Sequence, residues 1–253
     1  MIRAVFFDID GTLRSTATGE VPPSARDALA ALRRRGVAVA VATGRHPAEL
    51  EEMGLSLDVD AFIYLNGQLC VTADGTVFHR RTLEGAARDA LVALFDAGEV
   101  PVALVDDRGL SLNFSDARVE AAQASVASPV PPVRPRGEGP FYMAAVFERA
   151  DHPDVAALPG VALSSWQADA VDAMAEGPGK LEGVRAYLDL LGADPSEAAA
   201  FGDADNDVSM LSSVGWGVAM GGAAPEAAAA ARFVTDAVED DGVLHGLERL
   251  GLL

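Results

Sequence analysis

The acids in this chain that could do chemistry come in closely spaced sets: Asp8 with Asp10, and Asp203 with Asp207. A hydroxyl, Thr43, stands directly before Gly44-Arg45. Of the 19 basic residues 18 are arginine, and the one lysine is Lys180. A compact ammonium and a planar guanidinium are not interchangeable where a point charge must fit a tight site. That makes Lys180 a candidate for function, set against the plainer reading of one spared surface lysine. If four acids, a hydroxyl and an ammonium met at one place, their charges would conflict. Like charges about 4 Å apart repel by roughly 4 kcal/mol at an effective dielectric of 20. Carboxyls gathered without a cation would therefore hold on to their protons. A hard divalent ion removes the conflict, and Mg2+ takes one or two carboxylates, several waters and phosphate oxygens. Acids with one lysine and one threonine thus point to metal-assisted phosphoryl chemistry.

For this chemistry to occur, distant segments must meet. Ala4-Val5-Phe6-Phe7 is a continuous apolar run, the pattern of a strand buried on both faces, and it ends at Asp8. Residues 37–42 read as a second buried strand ending at Thr43, and residues 61–65 as a third. Between the first two, Ala25, Ala28, Leu29 and Leu32 form the apolar stripe of a helix, with Ser24 as its expected N-cap and Gly36 as its end. Pro47 starts a short helix before the third strand. After Asn66-Gly67, runs at 68–72 and 76–80 flank Ala73-Asp74-Gly75, a hairpin signal. From Gly177 onward the alternation returns. Lys180 opens a helix with Leu181, Val184, Leu188 and Leu191 on one face. Glu197–Phe201 is a strand weakened by alanine, and it ends at Gly202-Asp203. A helix, a strand at 216–220, a helix near 225–231, a short strand at 232–235 and a last helix near 241–250 follow. Strand–helix alternation is the grammar of a doubly wound, mostly parallel α/β sheet. Ligands bind such sheets outside the carboxyl ends of the strands, which brings residues 8, 10, 43 and 203 to one crevice.

The middle of the chain reads differently. Helices near 84–97 and 116–127 alternate with strand-like runs near 101–105, 109–113, 141–147, 161–165 and 169–174. A proline-rich connector covers 129–135. This pattern predicts an inserted α+β domain over 83–177, with the α/β core built from 1–82 and 178–253.

Composition narrows the function classes. The chain has 253 residues, 38 acidic and 19 basic, for a formal net charge of −19. Nucleic-acid binding calls for a basic face, and the longest basic run is Arg33-Arg34-Arg35. No apolar run approaches about 18 residues, so no membrane span is expected. Met1-Ile2-Arg3 leads straight into the first strand rather than a signal sequence, so the expected location is the cytoplasm. The single cysteine, Cys70, excludes a disulfide scaffold and is expected to be structural. His46, His79, His152 and His245 lack metal-ligand spacing and are expected at the surface, and Trp166 and Trp216 in the core.

Asp8-Ile9-Asp10-Gly11-Thr12-Leu13, Thr43-Gly44-Arg45, Lys180 and Gly202-Asp203-Ala204-Asp205-Asn206-Asp207 resemble, in order, the four motifs of the haloacid dehalogenase-like superfamily. Asn66-Gly67, Gly217-Val218-Ala219-Met220 and Asp241-Gly242-Val243 extend the resemblance over nearly the whole core. An insert with strands between the second and third motifs is similar to the cap of the Cof-type phosphatase subgroup, a C2-type cap. The chain departs from the family after Gly221, where Gly222-Ala223 replaces the usual Asn-Ala.

The resemblance implies a Mg2+-dependent phosphatase acting on a small phosphorylated metabolite. Asp8 would be the nucleophile that becomes an aspartyl-phosphate, and Asp10 the general acid and then base. Thr43 and Lys180 would hold the phosphoryl oxygens, helped by Ile9, Gly44, Arg45 and Asn206. The Mg2+ would be held by Asp8, Asp10 through its carbonyl, and Asp203, with Asp207 in support. Asn113, Arg134, Arg136, Tyr142 and Trp166 would be the cap's contacts to the leaving group. A phosphomutase of the same superfamily would share the first step. Phospho-accepting receiver domains also place clustered acids, a threonine and a lysine on such a sheet, but residues 44–179 are too long an insert between Thr43 and Lys180 for that class.

Overall fold

A computed structural model describes residues 1–253. Along the chain the elements are β1 (Ala4–Phe7), α1 (Pro23–Arg34), β2 (Ala38–Ala42), α2 (Pro47–Glu52), β3 (Ala61–Tyr64), β4 (Leu69–Thr72) and β5 (Val77–Arg80). Next come α3 (Gly85–Ala97), β6 (Val102–Asp106), β7 (Gly109–Leu112), α4 (Ala117–Ser125), β8 (Met143–Val146), α5 (Pro153–Ala156), β9 (Val161–Gln167) and β10 (Ala170–Ala175). The chain ends with α6 (Lys180–Leu191), β11 (Ala198–Gly202), α7 (Val208–Ser213), β12 (Trp216–Ala219), α8 (Pro225–Ala230), β13 (Phe233–Val234) and α9 (Gly242–Arg249). They divide into two compact units, one of residues 1–44, 56–80 and 178–253, the other of residues 45–55 and 81–177.

The first unit is built on an eight-stranded sheet in the order β13-β12-β11-β1-β2-β3-β4-β5. The strands from β13 to β3 run parallel, and the β4–β5 hairpin adds two antiparallel strands at one edge. This is the doubly wound arrangement that the strand–helix alternation predicts. Strand β1 lies between β2 and β11, so the chain order reverses there. Such a switch point leaves a crevice at the carboxyl ends.

Alanine-rich β11 forms despite poor intrinsic preference because it is central: Ala198–Gly202 are all buried between β1 and β12. Small side chains let α6 and α7 sit close, and Phe201 stacks on Phe7 with ring centroids 5.0 Å apart. Helix α6 buries Leu181, Val184, Tyr187 and Leu188, while Leu191 is only half-buried. Helix α1 buries Ala25, Ala28, Leu29 and Leu32, the expected stripe. Its N-terminus differs from expectation. The helix starts at Pro23, whose fixed φ suits the first turn, so Ser24 lies inside the helix and its hydroxyl donates to Asp241.

The second unit carries an antiparallel five-stranded sheet in the order β7-β6-β8-β10-β9. Alternate residues face opposite sides. Val102 and Leu104 join Ala87, Leu91 and Phe95 of α3, whereas Ala103 joins Val119 and Ala122 of α4. Residues 45–55 belong to this unit rather than to the α/β unit, a division not visible in local sequence pattern. No helix is long and apolar enough to cross a membrane.

Two residue types sit differently from expectation. His46 is buried, because its Nδ1 accepts from Ala48 N and caps α2, while Glu49 accepts from the His46 amide. Trp216 is half-buried and outside the core, whereas half-buried Trp166 packs against the second unit's core. Trp216 lies under the Arg232 guanidinium, 4.1 Å from its ring centre, and Trp166 meets Phe147 edge-on.

Candidate active site

Strand β1 delivers Asp8 to the switch point, where its amide donates to the carbonyl of Phe201 at 3.0 Å. The chain then turns. The amides of Thr12 and Arg14 both donate to the Ile9 carbonyl, so Asp10 and Arg14 come to lie side by side. Gly11 makes this turn possible. Its φ is +84°, and a Cβ there would stand 2.2 Å from Asp203 Oδ2. Only glycine lets the backbone pass so close to that carboxylate. Ile9 itself is fully buried, so what it can offer a ligand is its amide.

Lys180 is the first residue of α6 and is wholly buried. Its Nζ donates to Asp8 Oδ1 at 2.5 Å and to Asp207 Oδ1 at 2.7 Å. The other oxygen of Asp207 accepts the amides of Asp203 and Ala204 at 3.0 and 3.1 Å. Asp207 thus uses both oxygens to hold Lys180 and to shape the turn after β11. Thr12 Oγ1 donates to Asp203 Oδ1 at 3.3 Å, linking the turn after β1 to the turn after β11. Carboxylate oxygens of Asp8, Asp203 and Asp207 all lie within 4.8 Å of one another.

The electrostatics follow from burial. Desolvation holds the Asp8 carboxyl well above the usual carboxylate range; Lys180 opposes this, and Asp207, Asp203 and Asp10 add to it. Burial, reinforced by Asp207, pushes Asp203 up to about 7. For Lys180, burial disfavours the charge, yet Asp207 and Asp8 more than offset it and hold the ammonium above its ordinary value. Four carboxylates, Asp8, Asp10, Asp203 and Asp207, face two buried cations, Lys180 and Arg14. With all four ionised the excess is two negative charges, and hard oxygen donors this close together suit a hard divalent cation, whose entry would release the retained protons.

The remaining predicted site residues fall as follows. Thr43 is buried at the end of β2; its amide donates to Ile63 O, and its carbonyl accepts from Asn66 N at 2.9 Å. Gly44 lies against the Asn66 side chain, and Asn206 Nδ2 donates to Asn66 Oδ1 at 3.0 Å. Asn66 therefore connects the turns after β2 and β11. The sequence flags it only as part of Asn66-Gly67 following β3. Arg45 belongs to the second unit, where its guanidinium bonds Ser128 and the Val126 carbonyl and stands 3.9 Å from Glu49.

The expected leaving-group contacts are largely absorbed into the second unit's own structure. Asn113 bonds Val102 N and the carbonyls of Phe95 and Val100. Arg134 bonds Ser111 and the Arg108 carbonyl, Arg136 is bidentate to Asp96, and buried Tyr142 donates to Asp107. Polar groups at the ends of short strands take the nearest backbone and carboxylate partners, and these residues do so. Cys70 is buried, and burial raises its thiol to about 12, an inert state.

A parallel sheet with a lysine-bridged cluster of aspartates at its switch point suits phosphoryl-transfer chemistry. The model of the haloacid dehalogenase-like hydrolase family matches residues 5–132 and 146–247, and the chain belongs to this family. YkrA of Bacillus subtilis (strain 168), a provisionally assigned phosphatase, is 31% identical over 99% of this chain and 98% of its own length. Among solved structures, the phosphatase BT1666 from Bacteroides thetaiotaomicron is 31% identical, with a TM-score of 0.88 over 100% of this chain and 96% of that one. The sugar phosphatase BT4131 is 27% identical, with a TM-score of 0.85 over 99% and 100% of the two chains. The chain is a phosphatase-class hydrolase of the Cof type.

Proposed function

We propose that this phosphatase is Mg2+-dependent and hydrolyses small phosphomonoesters, sugar phosphates or similar metabolites, through an aspartyl-phosphate on Asp8. The observation that carries the reading is the pairing of Asp8 with fully buried Lys180 at 2.5 Å, beside Asp203 and Asp207. A carboxylate attacks a phosphate dianion only if their repulsion is offset. Lys180 sits where it can supply part of that offset. Mg2+ would be held by Asp8, the Asp10 carbonyl and Asp203, with Asp207 in support, and when bound it supplies the remaining positive charge.

In the first step an Asp8 oxygen bonds to phosphorus as the bond to the leaving oxygen breaks. Asp10 gives its proton to that oxygen, which leaves as an alcohol. In the second step water attacks phosphorus, its proton passes to Asp10, and the Asp8–phosphorus bond breaks to release phosphate. Thr43, the Ile9 and Gly44 amides and Asn206 orient the phosphoryl oxygens. The description of BT4131 as a sugar phosphatase, and of a Citrobacter koseri relative, 28% identical over 89% of this chain, as an HMP-PP phosphatase, supports a small phosphorylated metabolite as substrate. A screen over phosphorylated metabolites, with Asp8→Asn as the blank, tests the proposal. Release of phosphate by wild type alone supports it. Equal release by both proteins, or by neither on any substrate, rejects it.

A further inference from the structure

The motif residues account for the cluster around Lys180 but not for Arg14, four residues beyond Asp10. Arg14 is buried, its side chain only 5% exposed, whereas that of Asp10 is 24% exposed. Its NH1 donates to Asp10 Oδ1 at 2.8 Å and its Nε to the Gly19 carbonyl at 2.9 Å. The loop is shaped to take this guanidinium. Ser15 and Glu20 pair through their backbones, the Gly19 amide donates to the Ser15 carbonyl, and Ser15 Oγ donates to Glu239. Gly19 has a φ of +77°, and a Cβ there would stand 3.1 Å from Arg14 NH2. Burying an arginine is costly unless it is paired and hydrogen-bonded. Here the turn after β1 presents the Asp10 carboxyl and the loop that follows presents the Gly19 carbonyl.

We infer that Arg14 is a positioning residue for the proton-handling group: it clamps the Asp10 carboxyl in one orientation without competing for the proton that Asp10 transfers. A guanidinium does not give up its proton at working pH, so it can grip a carboxyl that alternates between acid and base. Its second bond, to Gly19, ties that grip to the backbone, so Asp10 does not swing as its charge changes. A side chain that must first protonate a leaving oxygen and then deprotonate water needs the same placement in both steps. This inference rests on the reading of Asp10 as acid and base.

The steps separate with p-nitrophenyl phosphate, whose leaving group needs little proton assistance, whereas the attacking water still needs a base. In stopped flow with Mg2+, Arg14→Met is expected to give a burst of about one nitrophenolate per enzyme. Steady turnover should then be roughly 10²-fold slower than wild type, within the usual range for a lost acid–base contribution. KM should fall with kcat, because the aspartyl-phosphate accumulates. Arg14→Lys, which keeps the charge and loses the fork, is expected to recover part of the rate with an unchanged melting temperature. It also carries the test if the methionine variant does not fold. Wild-type turnover in either folded variant overturns the inference. So does an equal loss in both phases accompanied by a lowered melting temperature, which marks a loop anchor only. Asp10→Asn separates the two readings. If that variant turns over normally, the assignment of Asp10 fails; if it is inactive while Arg14→Met is normal, only the role of Arg14 fails.

Discussion

In the first unit Lys180 is shared by two carboxylates and sealed from solvent, with Asp203 close by. In the second, Arg136 and Arg149 pair with Asp96 and Asp151 at the surface, and partly exposed Arg118 bridges Asp116 and Glu148. The carboxyls respond in opposite directions. Burial holds Asp8 and Asp203 above the ordinary range, whereas hydrogen bonds from arginine hold Asp96, Asp116 and Asp151 below it. Solvent-facing pairs such as Arg136–Asp96 and Arg149–Asp151 leave nothing for a ligand to resolve. A buried cluster with surplus negative charge is relieved when a cation enters, and that is the chemical difference between a binding site and a neutralised surface.

The largest expected effect breaks the cluster at its reactive member. Asp8→Asn should lower turnover of p-nitrophenyl phosphate by at least about 10⁴-fold, as losing a nucleophile does elsewhere. Its melting temperature should not fall, because one crowded carboxyl is gone. Next is Lys180→Arg. The guanidinium cannot fit where a wholly buried ammonium bridges two carboxylates, so kcat should drop by about 10²- to 10³-fold despite equal charge. Lys180→Met leaves two buried carboxyls uncompensated and should cost about 3–5 kcal/mol in denaturant unfolding. An unchanged midpoint would return Lys180 to an ordinary side chain.

Asp203 sharpens the comparison through pH. Its folded value of about 7 is above the ordinary carboxylate value near 3.9. Between those limits the unfolded chain releases this proton before the folded one does. With EDTA present, Asp203 should therefore lower stability as pH rises from about 4 to about 7, with no further change above. Binding Mg2+ requires the ionised form, so the Mg2+-induced rise in melting temperature should be larger at pH 8 than at pH 6. EDTA should stop turnover and Mg2+ restore it. A pH-independent thermal shift, or activity indifferent to chelation, would count against the metal site. The smallest effect belongs to the second unit. Arg136→Gln breaks a partly exposed pair and should cost at most about 1 kcal/mol, with kcat for p-nitrophenyl phosphate unchanged. A cost equal to that of Lys180→Met would erase the contrast between the two regions.

Much of this arrangement is legible in the sequence because short-range rules govern it. The apolar runs ending at Asp8 and Thr43 are buried strands, and the stripe Ala25, Ala28, Leu29, Leu32 buries as its spacing requires. The paired aspartates stand in the turns just beyond strand ends because those turns converge on the switch point. What stays hidden depends on contacts between distant segments. Residues 45–55 follow Gly44 directly yet pack with 81–177. His46 is buried because it caps α2 with Glu49, a role that serine or threonine more often fills. Asn113 and Tyr142 look available in sequence but spend their polar atoms on their own unit. Arg14 carries no motif signal, and its role depends on a turn that brings it alongside Asp10.

By this route every phosphoryl group that is released passes first through the carboxylate of residue 8. Quenching the enzyme during turnover of p-nitrophenyl phosphate, reducing it with borohydride and mapping the peptides by mass spectrometry tests this directly, because reduction turns an aspartyl-phosphate into homoserine. The expected result is homoserine at position 8, more of it in Arg14→Met and none in Asp8→Asn. Homoserine at another aspartate, or none during active turnover, would rule out Asp8 as the nucleophile.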